Sequence, residues 1–154
     1  MKKVYLDNAS TTAMRPEVIQ VMVDCMAQDY GNPSSTHSLG RHAKSILELS
    51  RKSIAKALNA TAQEILFTSG GTEANNWILR SAVKDLKVRR IISSKMEHHA
   101  VLYPILELQK EFDIQVEYVE NSADGVLDLT HLVDLLSEST EKTLVSLMHV
   151  NNET

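Results

Sequence analysis

The sequence predicts an α/β fold in which helices flank a mostly parallel sheet. Short apolar runs of strand length alternate along the chain with longer segments of helical periodicity, and such alternation produces parallel strands covered on both faces. Polar residues gather where several predicted strands end, which is where parallel α/β sheets bind ligands. With 154 residues the chain is long enough for one domain with a sizeable core.

The composition argues against several classes of protein. Hydrophobic residues make up 43% of the chain and charged residues 23%, close to the average of folded globular proteins. The formal charge of −4, without a basic block, argues against nucleic acid or an anionic membrane as the main partner. The sequence shows no signal peptide and no apolar run of about 18 residues. We therefore expect a cytoplasmic protein, and the lone Cys25 fits a reducing compartment.

The amino-terminal region predicts an extended arm followed by a helix. Residues 4–7 form a short apolar strand or extended arm. The polar cluster at 8–12 is typical of a turn or cap, and its hydroxyls and amide also suit a binding site. Pro16 fits a first helical position, and apolar residues at helical spacing predict an amphipathic helix over 16–27. Cys25 lies on the apolar face of this helix, where we expect a buried structural thiol.

A polar loop at 29–37 separates this helix from a second, longer one. Gly31 and Pro33 break the helical pattern, and the loop is either a binding element or a plain surface connection. The second helix runs from residue 38 to about 58, and its charged residues form a solvated face. Its predicted buried side comprises Ala43, Ile46, Leu47, Leu49, Ile54, Ala55 and Leu58.

The rest of the chain alternates between strands and helices. Apolar runs predict strands over residues 64–69, 90–94, 114–119 and 143–150. Helical spacing predicts helices over about 72–88, 101–108 and 128–137.

The stretch 67–76 runs from an apolar strand through a glycine pair directly into a helix. Gly70 and Gly71 permit backbone conformations that are closed to other residues and a close approach to a ligand. The unpaired first-turn N–H groups favour an anion there, and the hydroxyl of Thr72 could donate to a phosphate oxygen. The pattern matches neither the dinucleotide fingerprint nor the P-loop. It leaves open a phosphate site or a plain turn capped by Ser69 or Thr72.

Three predicted strand ends carry polar residues. The first set is 69–72, the second is 97–99 with two adjacent histidines, and the third is His149 with 151–152. Because ligands of parallel sheets bind outside the carboxyl ends of the strands, we expect these sets to converge on one cleft. This convergence favours the phosphate interpretation of the glycine turn.

Five groups of residues occur in an order and at a spacing typical of one enzyme family. They are Tyr5-Leu6-Asp7 with Ser10-Thr11-Thr12, Gly31-Asn32-Pro33-Ser34-Ser35 with His37, Phe67-Thr68-Ser69-Gly70 with Thr72-Glu73, Ser94-Lys95 with Glu97-His98, and Met148-His149-Val150-Asn151-Asn152-Glu153. Together they resemble the amino-terminal part of the cysteine desulfurases of the NifS and IscS type. These are pyridoxal-phosphate enzymes, class V aminotransferase-like, of fold type I. The resemblance covers essentially all of residues 1–154 and implies the amino-terminal arm and the first part of the large cofactor-binding domain.

The resemblance implies roles for individual residues. Gly71 and Thr72 would hold the phosphate of pyridoxal 5′-phosphate at the start of a helix. His98 would be a catalytic residue that lies over the pyridine ring and takes part in proton transfer. Asn152 would hydrogen-bond the phenolic oxygen of the cofactor and tune it as an electron sink. Family members often have alanine before the threonine, and Gly71 keeps the same backbone donor.

The resemblance carries over less strongly to the first part of the chain. Asn8 and Asn32 would border the entrance for the substrate, L-cysteine. A metal site built from His98, His99 and His149 is not expected, since their spacing matches no zinc pattern and the family offers a better use for His98.

The resemblance also implies residues that lie beyond position 154. Family members are more than twice this length. The lysine that binds the cofactor, the partner of the pyridine nitrogen, the persulfide cysteine and the small carboxy-terminal domain all come later in them. Lys95 is therefore expected to be structural, and Cys25 cannot replace the persulfide cysteine. We expect this chain alone to be inactive, as one piece of a split, cleaved or truncated enzyme with apolar helix faces and a sheet edge uncovered.

For the complete enzyme the resemblance implies conversion of L-cysteine to L-alanine. The sulfur would leave as an enzyme persulfide for an acceptor or scaffold protein in iron–sulfur cluster or thio-cofactor synthesis. The enzyme would be a homodimer with no nucleic-acid or membrane partner. Two alternatives stay open: a selenocysteine lyase or other pyridoxal-phosphate lyase of the same fold, and a non-catalytic phosphate-binding fragment.

Overall fold

The computed structural model describes residues 3–151, which form parts of two compact units. The first unit ends at Phe67 and the second begins at Thr68. The assignment of the whole chain to one part of a larger cofactor-binding domain stays a prediction. No helix in the described range is both long and apolar enough to cross a membrane.

The first unit contains two helices and a short 3-10 helix. Helix α1 spans Pro16–Gln28, with proline in its first turn, where its missing N–H costs nothing. Helix α2 spans Ser38–Ala57 and begins after His37, whose side chain accepts a hydrogen bond from the backbone N–H of Gly40. The 3-10 helix spans Ala62–Glu64. Both predicted α-helices are confirmed to within one residue at each end.

The second unit is a three-stranded parallel sheet with helices on both faces. Its elements are α3 (Gly71–Lys84), β1 (Arg90–Ser94), α4 (His99–Phe112), β2 (Gln115–Val119), α5 (Leu129–Ser137) and β3 (Thr143–Val145). The strand order is β2-β1-β3, and Ile91 of β1 lies level with Val116 of β2 and Leu144 of β3. The predicted α/β class with a parallel sheet is confirmed.

The central strand β1 separates two apolar clusters. Ile91 belongs to a buried cluster shared with α3 and α4, whereas Ile92 packs with Val119 and with Leu135 of α5. Successive side chains of a strand point to opposite faces, so two neighbouring isoleucines serve two different cores. The first cluster comprises Leu79, Ala82, Val83, Val88, Ile91, Val101, Ile105, Leu108 and Ile114.

Two predicted strands are absent or shorter than expected. Residues 65–69 pair with no strand among the described residues, and Leu66 and Phe67 are 63% and 46% exposed. A strand needs a neighbour for its backbone groups, and an apolar sequence alone cannot supply one. The strand predicted over 143–150 ends at Val145, because a glutamate side chain and not a backbone carbonyl binds the amide of Met148. Residues 4–7 are likewise exposed and outside any strand.

The predicted burial of Cys25 is wrong. Cys25 is exposed, and no residue of α1 is buried. The predicted buried side of α2 is also mostly open, since its fully buried residues are Gly40, Ala43 and Ala55, whereas Leu49 is 63% exposed. Helical spacing identifies an apolar face but carries no information on what covers it.

Candidate functional site

The first turn of α3 presents unpaired backbone donors. The N–H of Ala74 bonds to the carbonyl of Gly70 at 3.1 Å and closes the first turn. Within the described part of the chain, the N–H groups of Gly71, Thr72 and Glu73 have no acceptor. Together with the positive end of the helix dipole, these three donors favour an anion at this point.

Neither Ser69 nor Thr72 caps α3. Both the backbone N–H and the hydroxyl of Ser69 donate to Oε2 of Glu73, at 2.6 Å each. The side-chain hydrogen bond from Ser69, followed by the backbone one, lowers the pKa of Glu73. The serine hydroxyl thus acts as a donor to a carboxylate and leaves the helix amides uncapped.

The two glycines of the turn do not require glycine for their backbone angles. Gly70 has φ 167°, which is ordinary extended backbone, and Gly71 is the first helical residue. The expectation that both take conformations closed to other residues is therefore wrong. What the structure does show is open space, because no atom lies within 4 Å of the place where either Cβ would be. A ligand can reach the backbone of Gly70 and Gly71 directly.

The start of α4 is built around His98. Its Nδ1 accepts a hydrogen bond from the backbone N–H of Ala100 at 3.0 Å, and its carbonyl accepts from Val101 at 2.8 Å. A nitrogen that accepts is unprotonated, so the neutral ring carries its hydrogen on Nε2. The exposed His98 ring therefore presents one N–H donor to its surroundings.

His99, next along the chain, stacks on Tyr103. The two rings are nearly parallel, with centroids 4.9 Å apart and an interplanar angle of 15°. This stacking holds the ring of His99 beside Tyr103, one turn further along α4. Among the described residues, no group of three or more His, Cys, Asp or Glu could hold a metal ion.

One cleft brings the starts of α3 and α4 together. It has a volume of about 340 Å³ and is lined by Thr72 of α3 and by His98, the N-cap residue of α4. Two of the three polar strand ends predicted to converge therefore do share a cleft. Its lining comprises Thr72, Asn76, His98, His99, Ala100, Tyr103, Pro104 and Glu107.

The third polar strand end lies at a different cavity, of about 300 Å³. His149 and Asn151 line it together with Met96, which precedes the cap of α4 by two residues. The side-chain amide of Asn151 donates to the carbonyl of Met96 at 3.0 Å. Asn152, the predicted partner of the phenolic oxygen, lies outside the described residues.

Sequence reasoning assigned no individual role to Glu97, and the structure shows that it joins these two regions. Its carboxylate is buried, and Oε1 accepts a hydrogen bond from the backbone N–H of Met148. Burial raises the pKa of Glu97, and the hydrogen bond from Met148 opposes that rise. The signal in the sequence was a glutamate in the polar turn that follows the predicted strand at 90–94.

The two substrate residues predicted in the first unit occupy turns. Asn8 is exposed within a turn in which the N–H of Ser10 bonds to the carbonyl of Asp7. Oδ1 of Asn32 accepts a hydrogen bond from the backbone N–H of Ser34 at 3.0 Å. The side-chain oxygen of Asn32 thus accepts a hydrogen bond within its own loop. The side-chain NH₂ group remains as a donor for a ligand. Their roles in substrate binding stay predictions.

Comparisons of the sequence and of the structure with known proteins match nearly the whole chain to one group of enzymes. The family described as aminotransferase class-V matches residues 4–154. A cysteine desulfurase IscS from Dictyoglomus turgidum is 42% identical and one from Clostridium botulinum is 38% identical, in each case over 99% of this chain and 38% of the relative. A solved NifS-like protein superposes with a TM-score of 0.90 at 37% identity, over 99% of this chain and 42% of that one. The chain thus spans about 38% of the length of the curated relatives that it matches.

Proposed function

Because this chain belongs to the aminotransferase class-V family, we propose that it forms the phosphate-binding and ring-binding part of a pyridoxal-phosphate-dependent cysteine desulfurase. The complete enzyme would convert L-cysteine to L-alanine and transfer the sulfur as an enzyme persulfide. One observation carries the proposal: Thr72, in the first turn of α3 where the described amides are unpaired, and the exposed His98 line the same cleft. The relatives named cysteine desulfurase support L-cysteine as the substrate.

The residues of the cleft fit the proposed cofactor. Its phosphate would take the N–H groups of Gly71 and Thr72 and the hydroxyl of Thr72, and the space around Gly70 and Gly71 is open. The flat ring of His98 offers a stacking surface for a pyridine. The phenolic oxygen would take a hydrogen bond from the side-chain amide of Asn152.

Pyridoxal phosphate, when bound, supplies an electron sink for the charge left on an amino-acid carbon after proton loss. The residues of this chain bind and orient it. Because Nδ1 accepts from Ala100, His98 holds its proton on Nε2, and Nε2 is the atom through which His98 would donate to the cofactor or substrate. We assign no covalent step to Lys95 or Cys25.

The cellular setting is also part of the proposal. A cytoplasmic homodimer that passes sulfur to an acceptor or scaffold protein for iron–sulfur cluster or thio-cofactor synthesis would be consistent with the IscS relatives.

A binding experiment on the 154-residue chain tests the site. Trp77, the single tryptophan, follows Asn76 on α3, which lines the cleft, and its fluorescence serves as the probe of ligand binding. Pyridoxamine 5′-phosphate is a suitable probe, because its amine cannot condense with lysines. We expect Thr72→Val to weaken binding about tenfold, the loss of one hydrogen bond to a charged group. Thr130→Val is the matched control, since Thr130 also lies in the first turn of a helix, α5, away from the cleft.

A chimera tests the activity. In it, this chain replaces the matching amino-terminal part of the Dictyoglomus turgidum relative. With dithiothreitol present to reduce the enzyme persulfide, we expect L-cysteine to give alanine and sulfide, and His98→Ala to abolish the formation of both. Release of alanine from selenocysteine but not from cysteine would favour the selenocysteine lyase. Two negative results together would overturn the proposal: an inactive chimera, and a 154-residue chain without substitutions that fails to bind pyridoxamine 5′-phosphate.

A further inference from the structure

We propose that Glu97 is a positioning residue that holds residues 148–151 against the loop carrying His98. The inference rests on the proposed function, because it concerns how the cofactor ring is held. Glu97 is 8% exposed, immediately precedes His98, and accepts a hydrogen bond from the backbone N–H of Met148. One carboxylate therefore joins the loop after β1 to the segment after β3.

Among the described contacts, backbone pairing with β1 stops short of residues 148–151, although Leu147 still packs on the cluster of Ile92, Val119 and Leu135. The last backbone bond between the two regions runs from the N–H of Ser146 to the carbonyl of Ile92 at 2.9 Å. Beyond it, side-chain contacts replace the ladder. The hydroxyl of Ser93 donates to the carbonyl of Ser146 at 3.0 Å, and residues 148–151 are then held by the Glu97 carboxylate on the amide of Met148 and by the Asn151 amide on the carbonyl of Met96 at 3.0 Å.

For a contact with a purely structural role, a buried glutamate has a high desolvation cost. Burial disfavours the charged form, and within the described part of the chain no Lys, Arg or His forms an ion pair with Glu97. The other buried charged residue, Arg90, does have an ionic partner, Glu117. What Glu97 has instead is the backbone amide of Met148.

The position of the hydrogen bond between Glu97 and Met148 explains why it would affect binding of the cofactor ring. His98 follows Glu97 directly, and Asn152 follows Asn151, so the two residues assigned to the cofactor ring are attached to the two segments that Glu97 joins. The phosphate ligands Gly71 and Thr72 belong to α3 and do not depend on this contact. Loss of Glu97 should therefore impair ring binding and leave phosphate binding intact.

The test compares Glu97→Ala, Glu97→Gln and wild type in the 154-residue chain. Glutamine keeps an oxygen acceptor of nearly the same shape, so it should preserve the contact. We expect Glu97→Ala to accelerate amide hydrogen exchange at Met148 at least about tenfold, because the amide loses its acceptor. It should weaken pyridoxamine 5′-phosphate about tenfold, leave the affinity for inorganic phosphate unchanged, and be largely rescued in Glu97→Gln.

Controls separate positioning from general damage. Glu111→Ala removes an exposed carboxylate of α4 and should change neither exchange at Met148 nor either affinity. If Glu97→Ala does not fold, Asn151→Ala removes the second contact and should give the same selective loss. Equal loss of both affinities, or altered exchange with unaltered ring affinity, would overturn the positioning role alone. Failure of the wild-type chain to bind pyridoxamine 5′-phosphate would instead contradict the proposed function, and the positioning role with it.

Discussion

Nδ1 of His98 accepts a hydrogen bond from the backbone N–H of Ala100 at 3.0 Å, so the ring proposed to face the cofactor also begins α4. The side chain has two separable tasks. Nδ1 caps a helix, and the ring face and Nε2 remain for a ligand.

Substitutions at His98 should separate these tasks. His98→Ala removes the cap and should lower the free energy of unfolding by about 1 kcal/mol. His98→Asn places an oxygen near the position of Nδ1 and should keep most of that stability, while losing the ring and its proton. Chemical denaturation of the chain and activity of the chimera measure the two effects. An active His98→Asn chimera would contradict the proposed catalytic role of the ring.

Gly71→Ala should stabilise the chain. Its backbone is helical, and the added methyl group meets open space, so alanine gains helix propensity without strain. We expect the free energy of unfolding to rise by about 0.5 kcal/mol and the affinity for pyridoxamine 5′-phosphate to change less than threefold. A Thr72→Val chain measured alongside should show the reverse, unchanged stability and weakened binding. A loss of stability in Gly71→Ala would show that the turn needs glycine.

The raised pKa of Glu97 predicts a pH-dependent effect of Glu97→Gln. In the folded chain the carboxyl holds its proton to higher pH than in the unfolded chain, because burial opposes its charge. The stability that comes from this protonation is complete below about pH 4.5 and is lost as pH rises through the folded-state value. Glutamine does not titrate, so Glu97→Gln should gain stability over wild type from about pH 4.5 toward pH 7. Denaturation curves at several pH values check this, and a constant difference would contradict it.

Buried Arg90 and half-buried Glu117 form an ion pair at the opposite end of the sheet from the cleft. Arg90 is 1% exposed, and its guanidinium binds Glu117 and the carbonyl of Leu135. Removal of one partner leaves a buried charge unpaired, so Glu117→Ala should cost about 3 kcal/mol of unfolding free energy. Arg90→Met with Glu117→Leu should lie within about 1 kcal/mol of wild type, because it also removes Nη1 of Arg90, which has no hydrogen-bond partner among the described residues. A double-mutant cycle by urea denaturation measures the coupling.

The sequence predicted most of the helices and the central strands because their signals are local. Period 3.6 and period 2 are written in the order of residues, and α2, α4, β1 and β2 appear close to their expected places. The start of α3 at Gly71 was also readable, because a glycine pair between an apolar run and a helical pattern marks a turn. The motifs that resemble the desulfurases are likewise local strings.

Burial, strand pairing and the contacts of the cleft depended on tertiary structure, because each needs residues that are distant in the chain. The predicted strand at 64–69 lacked a partner, and Cys25 proved exposed because a helical pattern does not specify what packs on it. The hydrogen bond between Glu97 and Met148 joins residues 51 positions apart. The sequence by itself determined which residues could bind a phosphate and a ring. Only the tertiary structure decided that Thr72 and His98 share one cleft, because α3 and α4 pack together through the buried cluster that contains Leu79 and Val101.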